Sequence, residues 1–214
     1  MGKKEGQYIA IAVNGEYADR DFHRGILDKA AVIICADGGA NTVEELGIAP
    51  DYVIGDMDSI RKEVLDRLKI LGRTVIIEDP DQNKTDLELA IELAAKLKPR
   101  EIIILGALGK NIDHTLASII SLDKIGSGII AKITDGKNEI RLARESIEIE
   151  GEAGDIVSVV ALTEVSGLTY EGLKWNVQGM KAEFGWFGVR NRMTGRKASI
   201  KLQQGKILVI KVRD

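Results

Sequence analysis

Val32-Ile33-Ile34-Cys35-Ala36-Asp37-Gly38-Gly39-Ala40-Asn41 opens on five apolar residues and breaks on an aspartate and two glycines. A strand with one wet face alternates apolar and polar residues, so an uninterrupted apolar run predicts a strand covered on both faces, as in a parallel sheet. The same figure recurs outward in both directions, at residues 8–13, 52–54, 74–77 and 101–105. Between these runs the apolar residues fall at helical spacing. Ile60, Val64, Leu68 and Leu71 form one stripe, and Leu87, Ala90, Ile91, Ala94 and Leu97 another. The three prolines, Pro50, Pro80 and Pro99, stand at the joints, where a missing N–H and a fixed φ are tolerated. Repeated βα units predict an α/β fold, an open and mostly parallel sheet with flanking helices.

Past residue 138 the prolines and helical spacing disappear. Short runs at 147–150, 156–162, 198–202 and 207–212 alternate with glycine-containing turns, the pattern of a C-terminal antiparallel β-sandwich or barrel. The turn Asp135-Gly136-Lys137-Asn138 separates an α/β domain, 1–137, from an all-β domain, 138–214.

The composition narrows the chemistry. The 214 residues are 44% hydrophobic and 29% charged, enough apolar side chain for ordinary cores. No apolar run approaches the ~20 residues of a membrane span, and no cleavable-signal pattern stands at the start, so a cytoplasmic protein with no membrane partner is expected. One cysteine, Cys35, and two histidines, His23 and His114, exclude an intrachain disulfide and a Cys/His zinc cage. A net charge of −3 gives no reason to expect nucleic acid.

Ligands of open parallel sheets bind beyond the carboxyl ends of the strands, and the acids collect there. Asp37 ends one strand; Asp56 and Asp58 follow the next in Gly55-Asp56-Met57-Asp58-Ser59; Asp79, Asp81 and Asp86 follow the third; Asp113 follows the fourth. The plain reading is helix capping, which suits Asp86 before Leu87 and Asp113 before a helical run. Capping needs one carboxylate per helix and leaves the Asp56/Asp58 pair unexplained. Several carboxylates at one edge repel unless a cation offsets them, and hard oxygen ligands without Cys or His suit magnesium, which commonly accompanies phosphates. Gly38-Gly39 lets backbone approach a ligand closely; a plain turn is the alternative. No dinucleotide fingerprint or full Walker loop is present.

The ordered series Ala36-Asp37-Gly38-Gly39-Ala40-Asn41, Gly55-Asp56-Met57-Asp58-Ser59, Asp81-Gln82 with Lys84-Thr85-Asp86, and Asp113-His114, followed by a β-rich tail with Gly172-Leu173-Lys174-Trp175-Asn176, resembles thiamine pyrophosphokinases. The resemblance implies transfer of the terminal diphosphate of ATP to the thiamine hydroxyl, with release of AMP, by a magnesium-dependent homodimer with sites between subunits. It implies Asp56, Asp58 and Asp86 at the metal–ATP centre as catalytic and metal-binding residues. Asp37, Gly38, Asn41, Gln82, Thr85, Lys110 and Asp113 would contact the nucleotide; Gly109-Lys110-Asn111 stands where the family usually has Gly-Gly-Arg, so the arginine contact is either missing or replaced by Lys110. Trp186 and Asn191 would contact thiamine, with Arg190 where the family often has serine.

Two rivals carry the same acid loop: a diphosphokinase for another heterocyclic alcohol such as a hydroxymethylpterin, and a non-catalytic nucleotide or thiamine sensor. His114 is read first as a first-turn helix residue and second as a base. Trp175, Phe184, Trp186 and Phe187 could form an aromatic platform for thiamine or fill the sandwich core or its contact with the first domain; the latter is expected for Trp175, while Trp186 is equally suited to either. Eight Lys or Arg and no acid lie between Arg190 and Arg213. Their alternation with apolar residues points most of them to solvent, Arg190 or Arg192 being the candidates to reach phosphate.

Overall fold

The computed structural model describes residues 8–79, 83–109 and 111–213, and the chain divides into two compact units between Gly136 and Lys137. The first unit runs β1 (Tyr8–Ala12), α1 (Arg20–Lys29), β2 (Val32–Ala36), α2 (Gly39–Glu45), β3 (Tyr52–Gly55), α3 (Lys62–Leu71), β4 (Val75–Glu78), α4 (Asp86–Lys96), β5 (Glu101–Leu105), α5 (Ile112–Ser121) and β6 (Ile130–Thr134). Its strands pair in parallel in the order β6-β5-β1-β2-β3-β4. The central strands β1, β2 and β5 are buried on both faces, as their unbroken apolar runs require. At the edge, Val75 of β4 is exposed.

Side-chain size and spacing decide which helix faces are buried. α4 packs on β1, β2 and β3 and buries Leu87, Leu89, Ala90, Ile91 and Ala94, so it is covered more fully than one stripe predicts. α3 buries Val64 and Leu68. Leu71 and Leu97, expected in these stripes, are exposed; they are the last residue of α3 and the C-cap of α4. On the α2/α3 face Ala12, Ile33, Cys35, Val43, Val53 and Leu68 form one cluster, each removing apolar surface from water at about 25 cal/mol per Å2.

The second unit holds β7 (Asn138–Ala143), β8 (Ser146–Glu150), β9 (Ile156–Ala161), β10 (Val165–Glu171), β11 (Met180–Ala182), β12 (Phe187–Arg192), β13 (Lys197–Lys201) and β14 (Ile207–Val212). They form two antiparallel arrays, β12-β9-β14-β7 and β11-β10-β13-β8. Val157, Leu168, Ile200 and Ile207 from both arrays meet in one core, which makes a sandwich. In β13, Ala198 and Ile200 point inward while Lys197 and Lys201 point out toward Glu150 and Glu171. Among the described residues no helix is long and apolar enough to cross a membrane.

Candidate active site

Strands β1 to β4 progress to one side of the first unit's sheet; the chain then returns to the other side of β1 for β5 and β6. The crevice between the carboxyl ends of β1 and β5 is therefore the topological switch point, where the flanking loops diverge and leave room for a ligand. An open cleft of about 860 Å3 lies here, lined by Val13 to Glu16, Asp37, Gly38, Asp56, Ser59, Asp79, residues 84–87, residues 106–109 and the cleft side of α5. Beneath it the Tyr17 hydroxyl meets the carbonyls of Val13 at 2.9 Å and Leu105 at 3.3 Å, tying the ends of β1 and β5 together.

Asp37 ends β2 in the left-handed region, φ 39°, a conformation that a non-glycine residue holds only under local constraint. Its N–H donates to the Ile54 carbonyl and its Oδ2 accepts from the Ser59 N–H, both at 2.9 Å. Asp37 is 2% exposed, and its Oδ1 is buried with no hydrogen-bond partner. In the loop after β3, Asp56 Oδ1 accepts from the Asp58 N–H at 3.2 Å, and Asp58 Oδ1 accepts from the Ser59 hydroxyl at 2.8 Å. One carboxylate oxygen from each of Asp37, Asp56 and Asp58 falls within 4.8 Å of the other two.

Asp86, the first residue of α4, faces this group across Gly55. A Cβ on Gly55 would lie 2.6 Å from Asp86 Oδ1 and 3.0 Å from the Asp37 Cβ. Burial and then the charges of Asp37, Asp56 and Asp58 push the Asp86 carboxyl up to about 6, against a smaller lowering effect from the Asp56 N–H. Burial also raises the Asp37 carboxyl, opposed by donors from Ser59 and Gly38, with the Asp58 charge adding to the rise. Gly39 has a packing role: a Cβ there would sit 2.1 Å from the Ala12 carbonyl oxygen, so this glycine lets α2 close onto β1.

The capping assignments move by one or two positions. Thr85 caps α4: its hydroxyl accepts from the Glu88 N–H at 3.2 Å and the Glu88 carboxylate accepts from the Thr85 N–H at 2.8 Å, closing a capping box. Asp86 is thereby released toward the cleft. Asn111 occupies the cap of α5, and Asp113 lies inside its first turn, accepting from the His114 N–H at 2.9 Å.

Asp37, Gly38, Asp56, Thr85, Asp86 and Asp113 line the cleft, as does His114. Asp58 joins through the carboxylate group, and the Asn41 side chain is engaged by the backbone of Ser59 and Arg61. Asp81, Gln82 and Lys110 lie outside the described residues.

In the second unit Trp186 is partly buried against the sandwich core. The Asn191 amide grips the Trp175 backbone, accepting from its N–H at 3.1 Å and donating to its carbonyl at 2.6 Å. Trp175 is 57% exposed, contrary to its expected place in the core, because it lies in the connection between β10 and β11 rather than on a strand. Lys174 Nζ stands 4.8 Å from its ring centre. Arg192 donates to the Gly154 carbonyl at 2.9 Å within its own unit.

Sequence reasoning missed Asn14, Gly15 and Tyr17 after β1. Their only signal is an Asn-Gly pair at the end of an apolar run, which becomes informative once β1 is known to flank the switch point.

Residues 23–130 match the family model described as "Thiamin pyrophosphokinase, catalytic domain", and residues 140–207 match "Thiamin pyrophosphokinase, vitamin B1 binding domain". The chain belongs to the thiamin pyrophosphokinase family. Thiamine pyrophosphokinase 2 of Arabidopsis thaliana is 30% identical over 184 residues, covering 74% of this chain and 69% of its own. Thiamine pyrophosphokinase of Bacillus subtilis (strain 168) is 25% identical over 195 residues, 89% of this chain and 91% of its own. A crystal structure of thiamine pyrophosphokinase from Bacillus subtilis aligns with a TM-score of 0.86 at 24% identity, over 97% of this chain and 99% of that one. With both family domains matched in order, the chain has thiamine pyrophosphokinase function and is a transferase of thiamine diphosphate biosynthesis.

Proposed function

We propose that the chain transfers the terminal diphosphate of ATP to the thiamine hydroxyl, giving thiamine diphosphate and AMP, with ATP and magnesium held in the cleft of the first unit. Two observations carry this reading: one carboxylate oxygen from each of Asp37, Asp56 and Asp58 converges within 4.8 Å, and Asp37 keeps a buried oxygen, Oδ1, with no hydrogen-bond partner. A buried anionic oxygen without a partner is costly, and an all-oxygen group of this kind suits a hard divalent cation. These residues fit magnesium; Asp37, Asp56 and Asp58 would hold it, with Asp86 beside them. When bound, the ion offsets negative charge that grows on the transferred diphosphate and on the departing AMP oxygen.

The chain's own groups bind and orient. Asp37, Gly38, Thr85 and Asp113 present side chains and backbone to nucleotide along the cleft, and Gln82 and Lys110 belong to the same assignment. Lys84, held to Glu92 at 2.8 Å, brings a cation to the cleft's lining. Thiamine is assigned to the second unit through Trp186 and Asn191, the latter acting by its hold on Trp175. A homodimer with sites between subunits, cytoplasmic residence, and no nucleic-acid or membrane partner complete the proposal. The net charge of −3 and single buried thiol support the last two.

The deciding experiment incubates purified protein with ATP, magnesium and thiamine. Equimolar AMP and thiamine diphosphate are expected, with activity abolished by EDTA and restored by magnesium. ADP as the nucleotide product would place attack at the wrong phosphorus and overturn the proposal. Asp56→Asn and Asp58→Asn are each expected to cut kcat by orders of magnitude while circular dichroism is unchanged. Light scattering is expected to give twice the chain mass.

A further inference from the structure

The Asn41 side chain is a two-pronged clamp. From the first turn of α2, its Nδ2 donates to the Ser59 carbonyl at 3.0 Å and its Oδ1 accepts from the Arg61 N–H at 2.9 Å. Asp37 takes the Ser59 N–H at 2.9 Å, so the segment around Ser59 is fixed from both sides by residues that follow β2. The Arg61 guanidinium returns to the Asn41 carbonyl at 3.4 Å and to Glu45 at 2.8 Å, binding the far end of the loop to the same helix.

This loop needs such restraint for two reasons. Met57 sits at φ 64°, and a bulky residue stays in that region only where its surroundings over-determine it, at a cost of about 1–3 kcal/mol. Asp56 and Asp58 on either side of it converge with Asp37, and like charges drive apart in the absence of a counter-ion. A side chain that grips the backbone at residues 59 and 61 opposes both tendencies at the point where the loop would slide.

We infer that Asn41 is a positioning residue which holds the Asp56–Asp58 loop in register with Asp37 for cation binding, and is not a contact of the nucleotide. The inference rests on the proposed reading of the acidic group as the metal site. It assigns Asn41 a role different from the nucleotide contact implied by the family resemblance: each end of its amide bonds protein backbone, and Asn41 is not among the residues that line the cleft.

The test uses Mn2+ as the probe, titrated into nucleotide-free full-length protein and counted by electron paramagnetic resonance. ATP binding is measured separately in EDTA. Removing a group that orients metal ligands typically costs 10–100-fold in affinity, so Asn41→Ala is expected to weaken Mn2+ binding by about tenfold or more. Metal-free ATP affinity should stay within about twofold, and amide hydrogen exchange over residues 56–61 should accelerate while β1, β2 and β5 exchange as in the wild type. Asn41→Ser, whose hydroxyl is too short to bridge both backbone groups, is expected to behave alike and serves if the alanine variant does not fold.

Unchanged Mn2+ affinity with unchanged exchange would overturn the inference. So would a loss of metal-free ATP binding as large as the loss of Mn2+. Asp56→Asn separates this inference from the reading it rests on: if wild type fails to bind Mn2+, or Asp56→Asn binds it equally well, the metal assignment falls. The exchange rates at 56–61 then still decide whether Asn41 holds the loop.

Discussion

At Gly55 the backbone takes φ 145°, and both the Asp86 carboxylate and Asp37 crowd the position a Cβ would take. A methyl group there meets a conformation that L residues rarely adopt and an oxygen at 2.6 Å. Gly55→Ala is expected to lose about 1–3 kcal/mol of stability in urea titrations and to weaken Mn2+ binding by spreading the carboxylates. Asp86 supports a pH prediction. Its carboxyl rises from 3.8 to about 6 in the fold, so between those values the native metal-free chain binds more protons than the unfolded one. This contribution to stability therefore falls as pH rises through that window. Glu88, lowered chiefly by its hydrogen bond with Lys124, has the opposite sign, losing its contribution as pH falls. The difference between wild type and Asp86→Asn isolates the first effect: in EDTA the wild type should lose stability relative to the variant from pH 4 to 6, and magnesium should reverse the trend. The aspartates were legible because residue type and position after a strand suffice to find them. Asn14 was not, since an uncharged Asn-Gly pair resembles any turn until the strand order is known.

At the scale of elements, the capping box of α4 is what directs Asp86 at the cleft. Thr85→Ala removes the hydroxyl that accepts the Glu88 N–H and is expected to cost about 1 kcal/mol in urea unfolding, with Thr85→Ser retaining most of it. Thr85 and Asp86 are both good caps by residue type; the Thr85-x-x-Glu88 spacing is the signal that separates them, and the bond from the Thr85 N–H to the Glu88 carboxylate realises it. Strands β1, β2, β3 and β5 were legible as unbroken apolar runs because burial on both faces leaves no place for a polar residue. Helix α5 was expected after Asp113, but which face it buries was hidden for the converse reason. It buries Ser118 and Ser121, while Ile112, Leu116 and Ile120 are exposed, so its pattern is inverted relative to an ordinary surface helix. β6 is interrupted by Lys132, and β10 is broken in pattern by Ser166 and Gly167, so neither shows a clean period.

For the whole molecule, the deciding property is that each unit owns a core. Ile33, Cys35 and Val53 belong to one, and Leu168, Ile200 and Ile207 to the other. The change of pattern near residue 138 was legible because a switch from helical spacing to strand alternation reflects a change in what each apolar face must cover. Every cleft-lining residue belongs to the first unit, so nucleotide binding is linked to the opening of that unit. A ligand at 100 times its Kd stabilises the state that binds it by about 2.7 kcal/mol, a factor of about 100 in the opening equilibrium. With magnesium and a non-hydrolysable ATP analogue at that saturation, amide exchange in β2, β3 and β5 is expected to slow by about two orders of magnitude wherever it proceeds through that opening. Exchange in β9, β13 and β14 should be unaltered. Equal protection in both sets of strands would mean either that the units open as one or that the second contributes to the nucleotide site. Repeating the measurement on Asp56→Asn separates those outcomes: shared opening predicts that protection collapses in both units together as affinity is lost, whereas a nucleotide contact in the second unit predicts protection there that outlasts the loss in the first.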